Sequence, residues 1–123
     1  MSGRVAQRQR EVDLPVEAAL WAGLSALADP VRLRIFVLLR KGEQCVCHLT
    51  EELGLSQGTI SHHMAVLKRA ALVRDRRDPD DARWVYYSLD EAGTAHLRQA
   101  LQGLLDTSQT DPRPVSCRVR SVR

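Results

Sequence analysis

The sequence has no apolar run long enough to cross a membrane and none of the short motifs that carry catalysis, and no secretory segment is expected. Its first residues are rich in arginine and lack an apolar stretch, and Ala18 to Ala28 is too short and too alanine-rich to span a bilayer. A cytoplasmic protein without a membrane partner is therefore expected. There is no G-x-S-x-G, no P-loop, no H-E-x-x-H and no thioredoxin-like C-x-x-C, so no enzyme is expected. Cysteine is scarce too. Three of them, an odd number in a chain expected to be cytosolic, argue against a disulfide framework and leave metal binding or thiol redox chemistry open.

What is present is enough for one domain: 123 residues, 44% hydrophobic and 27% charged, a composition able to bury one modest core. The net charge of +3 sits in the tails. Met1 to Glu11 carries three Arg against one Glu, and Thr107 to Arg123 four Arg against one Asp. Between them 11 basic and 13 acidic residues remain. The overall charge is thus weak support for a nucleic-acid partner, but the local count is better. From Ser56 to Arg77 there are Lys68, Arg69, Arg74, Arg76 and Arg77 against Asp75 alone. Residues 1–13 are expected to be a flexible basic arm, 14–106 the folded domain and 107–123 a disordered basic tail.

Apolar residues recur at helical spacing from Pro15 to Ala28 (Val16, Leu20, Leu24, Leu27), with Trp21 beside them. Asp29-Pro30 then supplies an N-cap and a proline at the first helical position. The second helix runs through Leu33, Ile35, Phe36, Val37 and Leu38 to Gly42, apolar enough to lie in the core. Leu49, Leu53 and Leu55 mark a short third helix, with Gly54 allowing the turn into Ser56. Leu55 to Val73 is the stretch around which the chain is organised. Ile60, Met64 and Leu67 form its apolar back, while Ser56, Gln57, Thr59, Ser61 and His62 give a polar face suited to base edges in the DNA major groove. Together these make a helix-turn-helix.

After Leu72 the apolar period changes from the helical value to alternation. Val73 to Arg77 and Arg83 to Leu89 read as two strands joined by DPDDA, a wing whose Arg74, Arg76, Arg77 and Arg83, with Lys68 and Arg69, would meet phosphates. Trp84 and Tyr86 are read as packing residues. Ser88 or Asp90 caps a last helix reaching Asp106, with Leu97, Ala100, Leu101, Leu104 and Leu105 on one stripe. Amphipathic helices at both ends are more than one such core needs, so a dimer is expected to bury them. The fold class is mainly α with a small β-hairpin, a dimeric winged helix-turn-helix.

Cys45-Val46-Cys47-His48 is the second motif. Cysteines at i and i+2 lie about 200° apart on a helix but on one side of an extended segment, so a shared soft ion requires this segment to be extended or to unwind. Because it opens the helix packed on the reading helix, binding there supplies a switch. Thiolates favour soft metals and metalloids. His62 and His63, about 100° apart, are a poor chelating pair, and His63 is read as packing.

EQCVCHLTEELG, LSQGTISHHMAVLKRAALV and RDRRDPDDARWVYYSL, in this order, resemble the ArsR/SmtB family of metal-responsive winged-helix repressors over roughly Leu20 to Leu105. The resemblance implies a homodimer joined through the first and last helices, bound to an inverted-repeat operator in double-stranded DNA. It also implies an arsenic-sensing motif similar to CVCDLC, with As(III) or Sb(III) as inducer. Here the third cysteine position holds Thr50 and the usual Asp is His48. Cys117, His48 or a small exogenous thiol would have to complete the site, and from Asp106 the tail could carry Cys117 up to roughly 35 Å. The cadmium and lead pattern adds cysteines near the N-terminus, which are lacking before Cys45. The zinc pattern of the last helix is lacking as well, since Ala92 and Gln99 stand at ligand positions. Cd(II), Pb(II) and Zn(II) thus rank below As(III) and Sb(III). The alternatives of another class are a thiol redox sensor or thiol enzyme using Cys45 and Cys47, and an interaction module with no ligand.

Overall fold

The computed structural model describes residues 17–114. The expected arm at 1–13 and Cys117 lie outside them. Five helices and three strands follow in the order α1 (Glu17–Leu27), α2 (Pro30–Leu39), β1 (Gln44–Cys45), α3 (Val46–Leu53), α4 (Gln57–Arg69), β2 (Val73–Arg77), β3 (Val85–Leu89) and α5 (Glu91–Leu105). The sheet is antiparallel in the order β1-β3-β2. No helix among the described residues is long and apolar enough to cross a membrane.

Local chemistry sets the helix boundaries. Asp29 caps α2 by accepting from the backbone N–H of Val31 at 2.8 Å and of Arg32 at 3.1 Å, with Pro30 opening the helix. Gly54 ends α3 in the left-handed region, φ 66°, where a side chain would be strained. Ser56 Oγ then accepts from the Thr59 N–H at 3.2 Å and starts α4. Of the two expected caps of α5, Asp90 is the one used, accepting from the Gly93 N–H at 3.0 Å.

Ile60, Met64 and Leu67 of α4 are buried against Ile35, Leu39 and Leu49, and Leu72, Val73 and Tyr87 extend this core under the sheet. Helix α4 is therefore held by α1, α2 and α3 on its apolar side, while its polar residues other than the half-buried His63 are exposed. At the other end α1 packs on α5, where Gly23 lets the Leu97 side chain approach the α1 backbone.

Four expectations are corrected. The second helix stops at Leu39, and Leu33 and Val37 on it are both 48% exposed, because α3 and α4 cover only the flank that carries Ile35 and Leu39. Leu55 falls in the turn rather than in α3. Arg83 and Trp84 belong to the turn before β3, where the Trp84 N–H donates to the Asp81 carbonyl at 3.0 Å instead of joining the ladder. The wing also carries a third strand, β1, too short to show a period.

Candidate thiol site and nucleic-acid interface

Cys45 ends β1 in extended conformation, φ −82° and ψ 157°, and serves as the N-cap of α3. Its sulfur accepts from the His48 N–H at 3.2 Å. Cys47 lies one residue inside the helix. The break between strand and helix thus falls between the two cysteines, and no unwinding is needed to bring their sulfurs to one point. They are joined in a disulfide, with Cα atoms 5.4 Å apart. The expectation against disulfides is corrected for this pair, because the extended cap turns the first side chain toward the second.

The sulfurs fit the start of a soft-ion site, but the third donor is not beside them. Among the described residues no three His, Cys, Asp or Glu side chains cluster closely enough to hold an ion. His48 points its Nε2 toward Glu52 Oε1, 3.9 Å away along α3, and the Thr50 hydroxyl donates to the Cys47 carbonyl at 2.7 Å.

Cys47 and Thr50 open onto a cleft of about 520 Å³ whose other walls include Gln57 of α4 and Arg83 and Trp84 of the hairpin. The thiol segment and the start of the reading helix therefore share one space. Trp84, read as packing, lines this cleft and is 46% exposed, while Tyr87 is buried. Burial raises the Tyr87 phenol above its usual pKa.

All five polar residues assigned to the reading face are exposed. Ser56 and Thr59 are also occupied locally, their hydroxyls 3.0 Å apart at the cap, which leaves Gln57, Ser61 and His62 as the freer groups. His63 sits half-buried with Nδ1 3.2 Å from Arg32 Nη1, in keeping with a packing role. The basic residues divide. Lys68 pairs with Asp75 at 3.0 Å and Arg83 with Asp81 at 2.8 Å, and the Arg77 guanidinium donates to the Ala82 carbonyl at 2.7 Å. Arg76 makes two bonds to the Glu43 carboxylate, at 2.8 and 2.7 Å, with its guanidinium carbon 4.6 Å from the Tyr86 ring centre. The Arg76 hydrogen bond holds Glu43 below the usual carboxylate range, as the Arg83 bond does Asp81. Arg69 and Arg74 form no ion pair among the described residues.

Sequence reasoning missed Glu43, Trp84 as a cleft residue, and the pairing of the thiol segment with the wing. A two-residue strand leaves no periodic signal, and the partners of Glu43 and Cys45 lie more than 30 residues on.

Residues 29–75 match the bacterial regulatory proteins of the arsR family. An arsenic resistance transcriptional regulator of Pseudomonas putida is 43% identical over 84 residues. The alignment covers 68% of this chain and 63% of that protein, just under two thirds of its length. The nodulation protein NolR of Rhizobium meliloti is 36% identical over 102 residues, 80% of this chain and 81% of that protein. A crystal structure described as a possible transcriptional regulator for arsenical resistance superposes with a TM-score of 0.61 at 38% identity, covering 68% of this chain and 84% of that one. The matched stretch contains both Cys45 and Cys47 and the whole helix-turn-helix, and the likeness extends over most of these relatives; the chain belongs to the ArsR family, whose members regulate transcription and are not enzymes.

Proposed function

We propose that this chain is a homodimeric repressor that binds an inverted-repeat operator when metal-free and is released when Cys45 and Cys47 take a thiophilic ion, As(III) or Sb(III). The observation that carries the reading is the convergence of two sulfurs at the start of α3, one of them, that of Cys47, on the cleft that Gln57 also lines. With the pair reduced to thiols, arsenous acid would exchange two hydroxyls for the two sulfurs, each hydroxyl leaving as water with a thiol proton. Cys117, outside the described residues, is the protein sulfur left to replace the third hydroxyl. An ion held at the mouth of the cleft would favour a placement of α3 and α4 different from the one that fits DNA. Releasing operator a hundredfold requires about 2.7 kcal/mol of preference for the loaded conformation.

Trp21, Leu24, Leu104 and Leu105, exposed on the packed pair α1 and α5, support a second copy as the partner of these helices. Two reading helices would then face successive half-sites.

The test is fluorescence anisotropy of labelled operator with reduced protein, titrated with As(III), Sb(III), Cd(II), Pb(II) and Zn(II). Release by As(III) at the lowest concentration is expected, and tighter operator binding with arsenite would overturn the reading. A thiol redox sensor is the second reading, favoured by the joined sulfurs. In that case peroxide would take two electrons and two protons from the thiols and leave as two waters. Peroxide would then release DNA, while arsenite added to reduced protein would not.

A further inference from the structure

The sheet ties the thiol segment to the wing through side chains that share one face. Cys45 and Arg76 are both cross-strand partners of Tyr86, on either side of β3, and Arg74 is the partner of Ser88. Residues directly opposite in antiparallel strands point to the same face, so Cys45, Tyr86, Arg76, Ser88 and Arg74 lie together there. Tyr87, on the other face, is buried in the core. Glu43, two residues before Cys45, reaches across and grips the Arg76 guanidinium with both oxygens.

Around this contact runs a groove of about 370 Å³ lined by Glu43, Arg74, Asp75, Arg76 and Ser88, with Asp75 itself paired to Lys68 at 3.0 Å. Two guanidinium groups and a hydroxyl are the donors that hold a phosphodiester, and a carboxylate meets the same fork in the same bidentate manner. The Glu43 carboxylate thus occupies the Arg76 donors that a phosphodiester would use.

We propose that Glu43 is an internal competitor for DNA. It occupies the phosphate seat made by Arg74 and Arg76, and its position is governed by the adjoining Cys45 segment. The conformation described, with the two sulfurs drawn together, is the one in which Arg76 is withheld. A coupling route to the wing therefore runs beside the one to the reading helix. Since Glu43 precedes β1, a change in how Cys45 is held shifts it directly. This extends the proposed release by a thiol ligand and rests on that reading only for the arsenite arm of the test.

The experiment compares the wild type, Glu43→Gln, Arg76→Gln and the double variant, with thermal unfolding confirming that each folds. Anisotropy is read on operator and on random DNA between 50 and 200 mM salt. In the disulfide form, Glu43→Gln is expected to bind both DNAs a few-fold more tightly and to steepen the salt dependence by about one phosphate contact per subunit. In the Arg76→Gln background the same change should have no effect. A purely structural role for Glu43 would weaken binding or alter it regardless of Arg76, and either result overturns the proposal, as does an unchanged salt slope. In the arsenite arm, Glu43→Gln should retain a few-fold more operator affinity than loaded wild type. If arsenite fails to release the wild type, the inducer reading fails, while the disulfide arm still decides the role of Glu43.

Discussion

Two glycines in α5 set up a stringent test, because the same substitution should act with opposite sign at the third residue of the helix and near its end. A Cβ on Gly93 would overlap the backbone carbonyl oxygen of Ala71 and lie 2.7 Å from its carbon. No rotamer change relieves this. Ala71 has φ 61°, and the next residue, Leu72, is fully buried and accepts the Asp90 N–H at 2.9 Å, so the turn is pinned from both sides. The start of α5 must therefore move outward, stretching the bond that docks it. Overpacking of this kind costs about 1–3 kcal/mol, and the backbone partner places Gly93→Ala toward the upper end. For a domain of this size that lowers Tm by roughly 8–20 °C. A Cβ on Gly103 meets nothing within 4 Å, so Gly103→Ala gains helix propensity and should stabilise by about 0.5–1 kcal/mol. Circular dichroism melts at one fixed protein concentration compare the three proteins, since dimerisation would make Tm concentration-dependent. Equal Tm values for Gly93→Ala and wild type would refute the close approach of α5 to the Ala71 turn, and with it the placement of the terminal helix pair.

Other expectations follow from the site and the caps. Cys45→Ser and Cys47→Ser should each leave DNA binding intact and abolish arsenite release, while Cys117→Ser should weaken the response without removing it; operator release curves decide, and an unchanged Cys45→Ser curve removes the site. Gln57→Ala should relax preference for operator over random DNA, whereas loss of Arg69 or Arg74 should weaken both alike and flatten the salt slope by about one. Equal loss on both DNAs for Gln57→Ala would contradict its assignment to base reading. Asp29, held below its ordinary pKa chiefly by the Arg32 N–H, contributes stability that is complete above its unfolded pKa and is lost as pH falls through the folded value. Asp29→Asn keeps an N-cap without the charge, so its stability should vary less between about pH 4 and pH 2 than that of the wild type, as acid titration of the folded fraction would reveal.

The helices, the turn at Gly54 and the polar face of α4 were legible in the sequence because each rests on neighbours within four residues: caps, helical spacing, a glycine at positive φ. The cysteine pair was legible as chemistry, since i, i+2 thiols can share an ion only across a break in the helix, and the break does fall between Cys45 and Cys47. Its surroundings were not. The strand carrying Cys45 is two residues long, and only its pairing with Tyr86 and Tyr87 makes it a strand. The expectation that α2 would lie in the core held for Ile35 and Leu39 and failed for Leu33 and Val37, because an apolar run does not say how many neighbours will cover it. The bond between Glu43 and Arg76 and the cleft shared by Cys47, Gln57 and Trp84 join residues distant along the chain. Local propensity determined which residues become the reading helix and which the thiol turn. Tertiary packing alone decided that they face one cleft and that a carboxylate beside the thiols holds an arginine of the wing, because both depend on where α3 and the hairpin dock.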